Sequence, residues 1–214
     1  MAKPVKIKTS QRRAGVKSAT GRRDAKGDLL DAALSLFATA GYNAVGVKEI
    51  VDKAGVPKGS FYTYFASKEV LGCAVIDRYS EMLSDRLRAL LAPDDSPVER
   101  LRRHFAGLSQ DIAATDFLIG CLLGQFGTET AGQRELMRQR LLQRFAAWTK
   151  ALAQVVGEAA DRDQLLAPFS PKDAATFLLN SWEGAVLRAR VERDRAPLDT
   201  FENVAFASLF RSKG

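Results

Sequence analysis

Two cysteines, Cys73 and Cys121, and one histidine, His104, are the side chains best suited to covalent or metal chemistry in this 214-residue chain. Their arrangement supports little of it. The cysteines stand far apart with no Cys-x-x-Cys pattern, and one histidine beside two thiols is too sparse for a zinc site or a disulfide framework. His104 follows Arg102 and Arg103 and reads as solvated surface on a polar helix face. Catalysis needs a nucleophile or acid with an orienting partner. No Gly-rich phosphate loop, Ser-His-Asp set or metal cluster occurs, so the sequence predicts no catalytic residue, no metal and no cofactor. Cys121 keeps two readings. In its apolar run it is a small buried hydrophobe; as a reactive thiol it would need a cation or a helix N-terminus nearby. Cys73 is assigned to packing.

A second group of residues suits a different task, contact with an acidic polymer. The segment Val47–Phe65 reads as two short helices, 47–54 and 58–64, joined by a turn at Gly55, where the chain must reverse with a left-handed backbone. Ile50, Val51, Ala54, Val56 and Phe61 are spaced to plug a small core, and a preceding helix over 28–40 supplies the support. Its buried face is expected at Leu30, Ala33, Leu34, Phe37 and Ala38. The second short helix begins Lys58-Gly59-Ser60 and continues through Tyr62 and Tyr64. Small residues allow its end to approach the floor of a DNA major groove, while lysine and tyrosine reach phosphates and base edges. Lys48 lies on the companion helix. Lys68 stands at the next helix start, where a cation opposes the helix dipole unless a phosphate is adjacent.

The rest of the chain reads as helix nearly throughout. Ser67 caps a long helix whose apolar face takes in Leu71, Val75, Tyr79, Met82 and Leu87. The Ala92-Pro93-Asp94-Asp95 stretch breaks the pattern. Ser96-Pro97 and Ser170-Pro171, each with an acid at the third helical position, open helices to about 113 and 193. A short helix near 120–127 and a long one near 132–157 lie between. Pro197 is expected to force a break before a last helix over 200–210. The 170–193 helix is apolar on two faces, with Leu178, Trp182, Ala185, Val186 and Ala189 on one and Phe177, Ser181, Gly184, Leu187 and Val191 on the other. One face suits its own body and the other a partner copy. The predicted fold is all-α, a three-helix helix-turn-helix head carrying a helical body.

Charge is distributed unevenly. Nine basic side chains and one acid, Asp24, fall within residues 1–26, a net +8 against +7 for the whole chain. This polar arm is expected to be disordered, and it either floats in solvent or tracks phosphates. It has no apolar stretch of the kind a secretory signal carries. No run of about 20 apolar residues is available to span a membrane. The chain therefore reads as cytoplasmic and without a membrane partner.

Residues 26–76 resemble the DNA-binding domain of the TetR family of repressors. The resemblance rests on Ala40-Gly41-Tyr42, Val47 to Ile50, Ala54-Gly55-Val56, Lys58-Gly59-Ser60-Phe61-Tyr62, Tyr64-Phe65 and Ser67-Lys68-Glu69. Gly46 stands where the family usually caps with Ser or Thr, and Val51 where it usually has Ala. The resemblance implies a homodimer that binds a double-stranded operator and releases it to a small-molecule effector. It divides the chain into a basic arm (1–22), a head (23–84, with the motif at 46–65) and an effector-binding and dimerisation body (85–214). Gly120–Gly127 and Trp182–Arg190 further resemble a subgroup that includes the acrylate-responsive and N-ethylmaleimide-reductase repressors, the latter sensing electrophiles through a cysteine in the same Gly-Cys-Leu setting. The candidate effector residues are then Cys121, Gln125, Phe126, Trp148, Trp182, Glu183 and Arg190, any of which could equally be core or interface. Arg190 stands where the electrophile sensor has a lysine; an arginine there is able to lower the thiol pKa but not readily to bond covalently to an oxidised sulfur. The alternatives are a reversible sensor of lipophilic drugs and, from another class, an enzyme.

Overall fold

The computed structural model describes residues 24–166 and 168–211, so the basic arm expected over 1–22 lies outside the described residues. Among the described residues there are ten helices, and the only β-type pairing is an isolated bridge between Leu165 and Phe210. No described helix is long and apolar enough to cross a membrane. The chain divides into two compact units, each discontinuous in sequence.

The first unit comprises the described residues up to Met82 together with Gln125–Leu141. Helix α1 runs Ala25–Ala40, opened by the Asp24 carboxylate, which accepts the Gly27 N–H at 3.0 Å. It starts three residues before the expected 28 because Asp24 is the capping residue. Its buried face is Leu29, Ala32, Ala33, Leu34, Phe37 and Ala38, with Leu30 only half-buried. Gly41 ends it at φ 89° and ψ 159°, a conformation open essentially to glycine. Helices α2 (Val47–Ala54) and α3 (Lys58–Tyr64) have the expected bounds, with Gly55 left-handed between them at φ 65°. Gly46 offers no side chain to cap α2, and Glu49 instead reaches back to its N–H at 2.6 Å. Ile50, Val51 and Phe61 are buried against α1; removing Phe61 from water is worth roughly 1.5–3 kcal/mol.

Helix α4 runs Lys68–Met82, with the Ser67 hydroxyl accepting the Val70 N–H at 3.2 Å. The single long helix expected here is two. The chain turns at Leu83 and resumes as α5, Ser84–Leu91. No glycine or proline marks the break, so periodicity alone carried the reading past it.

The second unit comprises Leu83–Gly124 and the residues from Leu142 onward. It holds α5, α6 (Pro97–Ala113), the start of α7 (Leu122–Thr130), most of α8 (Glu135–Ala160), α9 (Pro171–Glu192) and α10 (Ala196–Leu209). Ser96 and Ser170 cap α6 and α9 as expected, accepting the N–H groups of Glu99 at 3.3 Å and Asp173 at 3.1 Å. Pro197 does not precede α10 but sits in its first turn, where its missing N–H would have had no partner anyway. The core is aromatic: Phe105, Trp148, Trp182, Phe201 and Phe206 are all buried. Arg100 is also buried, which its polar type did not predict. Its guanidinium donates to the carbonyls of Leu90 at 3.2 Å and Ala92 at 3.1 Å and pairs with Glu158, tying down the Pro93 turn.

Candidate nucleic-acid interface and effector site

The first unit builds a rigid support under α3. Phe61 is fully buried and holds the helix, with Phe65 packed beside it at 6.0 Å between ring centroids. Residues on the other faces project outward. Lys58 and Gly59 are exposed, Ser60 is half-buried, and Tyr62 and Tyr64 are 61% and 42% exposed. A Cβ added at Gly59 would meet no protein atom within 4 Å, so the fold itself does not require glycine there. Lys48 is also exposed and pairs with Asp52 at 2.9 Å.

Lys68 is placed differently from the rest. Its ammonium donates to the Tyr42 carbonyl at 2.6 Å and lies 4.2 Å above the Tyr42 ring. Desolvation, then the nearby Arg134 cation, lowers its pKa. Tyr42 belongs to the α1–α2 loop, and a polar network from the same unit holds that loop. Glu129 accepts the Asn43 N–H at 3.0 Å, its carbonyl accepts from the Asn43 amide at 3.1 Å, and Gln125 donates both to Glu129 and to the Phe37 carbonyl. A side chain at Gly41 would strike the Glu129 carboxylate. Phe126 packs edge-on against Phe37 at 5.8 Å. Gln125 and Phe126, expected to line an effector cavity, are thus part of the packing of the first unit. Glu129 and Asn43 escaped the sequence reading because they are far apart in the chain and match no motif.

The other expected effector residues fall in the second unit. Cys121 immediately precedes α7 and is 4% exposed. Gly120 and Gly124 flank it, and each leaves room for a side chain of α9. A Cβ at Gly120 would lie 2.6 Å from Cδ of Arg190, and one at Gly124 would collide with the Glu183 carboxylate. Burial pushes the Cys121 thiol well above its ordinary pKa. The charge of Glu183 and its hydrogen bond with the thiol push the same way, while the Gly124 and Leu123 N–H groups pull it down. The Arg190 stem rests on Gly120, and the charged group that acts on the thiol is Glu183. Burial raises Glu183 in turn to about 7, the bond with Cys121 opposing the rise. One Glu183 oxygen, Oε1, is shielded from solvent and has no hydrogen-bond partner.

Trp148 and Trp182 lie 5.5 Å apart, and Trp182 Nε1 has no partner. His104 is not surface. It is 6% exposed and accepts the Trp148 indole N–H on Nε2 at 3.1 Å; burial, then the Arg86 cation, depresses its pKa to about 4. The spacing Leu101, His104, Phe105, Leu108 put it on the buried stripe, but the adjacent arginines masked that signal. A surface groove of about 300 Å³ lies elsewhere in this unit, between Glu99, Arg102, Glu202 and Phe206, and none of the expected effector residues lines it.

The exposed, aromatic-edged α3 on its packed support and a separate helical body carrying buried polar groups agree with the comparisons. Residues 29–74 match the family described as bacterial regulatory proteins, tetR family, and residues 97–205 match the tetracyclin repressor-like C-terminal domain. The chain is 34% identical to the HTH-type transcriptional repressor DhaR of Mycobacterium sp. (strain GP1), covering 86% of this chain and 91% of that protein. It is 34% identical to the transcriptional regulator AcuR of Cereibacter sphaeroides, covering 92% and 91%. Among solved structures, it superposes on a TetR regulatory protein from Rhodobacter sphaeroides with TM-score 0.81 and 34% identity, over 86% of this chain and 98% of that one. It also superposes on the reduced form of E. coli NemR with TM-score 0.80 and 26% identity, over 87% and 97%. These relatives are regulators and not enzymes, and with a family model matching in each half and 34% identity to DhaR over 86% of its length, the chain belongs to the TetR family of bacterial transcriptional regulators.

Proposed function

We propose that the protein is a homodimeric repressor that reads a near-palindromic duplex with α3 and is released from it when a small electrophile adds to Cys121. The observation that carries the DNA-binding half is the outward α3 surface, Lys58 to Tyr64, held by buried Phe61. Gly59 fits this reading, because close approach to the groove floor gives a reason for a glycine the fold does not demand. Lys48, Ser60, Tyr62 and Tyr64 would contact phosphate and base edges. Lys68 would act by fixing the Tyr42 loop, since its ammonium is engaged there. The partner surface would be the apolar outer face of α9, where Phe177, Leu187 and Val191 are 49%, 63% and 77% exposed.

The effector half rests on the setting of Cys121 beside the α7 start and Glu183, and on the likeness to NemR, which has been crystallised in a reduced form. A second reading has support of its own. The resting thiol is protonated and buried, and Trp182 carries an unpaired donor beside Trp148, so a reversible ligand held by Trp148, Trp182, Glu183 and Arg190 would also fit. Either trigger works as a population shift, and a hundredfold loss of DNA affinity needs about 2.7 kcal/mol of differential binding. A DNA-release assay on wild type, Cys73→Ser and Cys121→Ser with graded N-ethylmaleimide separates the two. The covalent reading expects Cys121→Ser to stay bound while Cys73→Ser releases. Equal release by Cys121→Ser would leave the reversible pocket.

A further inference from the structure

We propose that the connection between α6 and α7, residues 115–120, is a gate that opens to admit a small molecule to the start of α7. This rests on the reading that an effector binds within the second unit, and it assigns where that effector enters. The observation behind it is a disfavoured backbone. Helix α6 ends with the Phe117 N–H donating to the Ile112 carbonyl at 3.3 Å and the Asp116 N–H donating to the Ala113 carbonyl at 3.0 Å. This termination calls for a left-handed residue at 116, usually glycine, and here it is Asp116 at φ 52°. The next residue, Phe117, is left-handed as well, at φ 58°, and the Leu118 N–H closes the turn onto the Thr115 carbonyl at 3.1 Å. A turn with positive φ at both central residues is normally built from Asn, Asp and Gly. Aspartate tolerates that conformation, whereas it disfavours a phenylalanine by roughly tenfold.

Strain of this kind persists only where surrounding contacts hold it, and here they hold the two ends of the segment. At the α6 end, the Thr115 hydroxyl donates to the Ile112 carbonyl at 2.8 Å and accepts the Ile119 N–H at 3.2 Å. The Arg193 guanidinium, at the end of α9, donates to the Asp116 carbonyl at 3.5 Å. At the α7 end, Gly120 lies against α9, with Val186 Cγ1 3.0 Å from where a Cβ would stand. The middle is held loosely: Phe117 is half-buried and Leu118 is 39% exposed. A short segment with few buried contacts and a disfavoured backbone opens at low free-energy cost. Gly120 to Leu123, which follow it, are all buried, so its opening uncovers the start of α7.

The test is hydrogen exchange of the full-length protein, read by mass spectrometry on peptides covering residues 115–124. Labelling of Cys121 by N-ethylmaleimide, in a Cys73→Ser background, reports access to the α7 start. Phe117→Gly and Phe117→Ala are compared because both remove the ring and differ only in what backbone they allow. In an ordinary loop glycine loosens the chain. Here it suits the closed turn, so Phe117→Gly should exchange its 118–123 amides, and label Cys121, about fivefold more slowly than Phe117→Ala. Exchange in Phe117→Gly equal to or faster than in Phe117→Ala overturns the gate. Slower exchange with unchanged or absent labelling shows that the opening does not lead to the α7 start, and overturns the route of entry. Labelling that follows the two variants supports the gate whether or not the adduct alters operator affinity. An adduct that leaves operator affinity unchanged sinks only the covalent effector reading.

Discussion

At Gly59 the demands of folding and of the proposed DNA contact can be separated. An alanine there meets open space and replaces a poor helix former, so Gly59→Ala should leave the melting temperature unchanged or raise it, by up to about 1 kcal/mol of stability. If α3 enters a groove, the same change should weaken operator binding, measurable by fluorescence anisotropy. Unchanged affinity would place α3 away from the base edges. The buried titratable groups make a second residue-scale prediction. His104 has a folded pKa of about 4, below its unfolded value, so it favours unfolding at low pH and its penalty disappears as pH rises through 6.5. Glu183 has a folded pKa raised to about 7, so the native state holds its proton and stability falls as pH rises from about 4.5 to 7. The two oppose each other across that window. Relative to wild type, thermal melts of Glu183→Gln should gain stability as pH rises from 5 to 6.5, and those of His104→Gln should lose it. The slopes coinciding in all three proteins would show that neither group is perturbed. Cys121 and Glu183 were both legible as candidates, but not the packing of α9 on Gly124 that brings Glu183 to this end of α7.

At the scale of elements, the helix-turn-helix was legible because Gly55 and Pro57 punctuate it and the Ser-Pro pairs mark α6 and α9. The break at Leu83 was not, since nothing in its local sequence disfavours helix. Elements whose ends are set by distant contacts were also hidden: the α1–α2 loop is held by Glu129, 86 residues away from Asn43. Glu129→Ala removes the acceptor of the Asn43 N–H and of Gln125 and should cost about 1 kcal/mol or more in chemical denaturation. Glu129→Gln keeps an acceptor and should recover much of it. The inner apolar face of α9, with Leu178, Trp182, Val186 and Ala189 buried, was legible from its spacing, and the outer one is the testable element. Leu187→Arg with Val191→Asp should turn a dimer into a folded monomer by sedimentation velocity, with operator affinity falling accordingly. A variant that still sediments as a dimer would move the interface elsewhere.

For the whole molecule, the position of charge matters more than its amount. With a net +8 on residues 1–26, the remaining chain is close to neutral. Deleting residues 1–22 removes seven of the basic side chains, so the slope of log affinity against log salt should become shallower while the preferred sequence is retained. On the proposed reading, sequence preference itself belongs to α3 and to the pairing of two copies. A two-fold dimer places its recognition helices in major grooves about one helical turn, roughly 34 Å, apart. The most direct test is selection of duplexes from a random library by the full-length protein at physiological salt, followed by titration of the enriched and scrambled sequences. The account predicts two inverted half-sites centred about 10 base pairs apart and a preference of roughly a thousandfold or more over scrambled DNA. Enrichment of no sequence, or equal affinity for the enriched and scrambled duplexes, would contradict it.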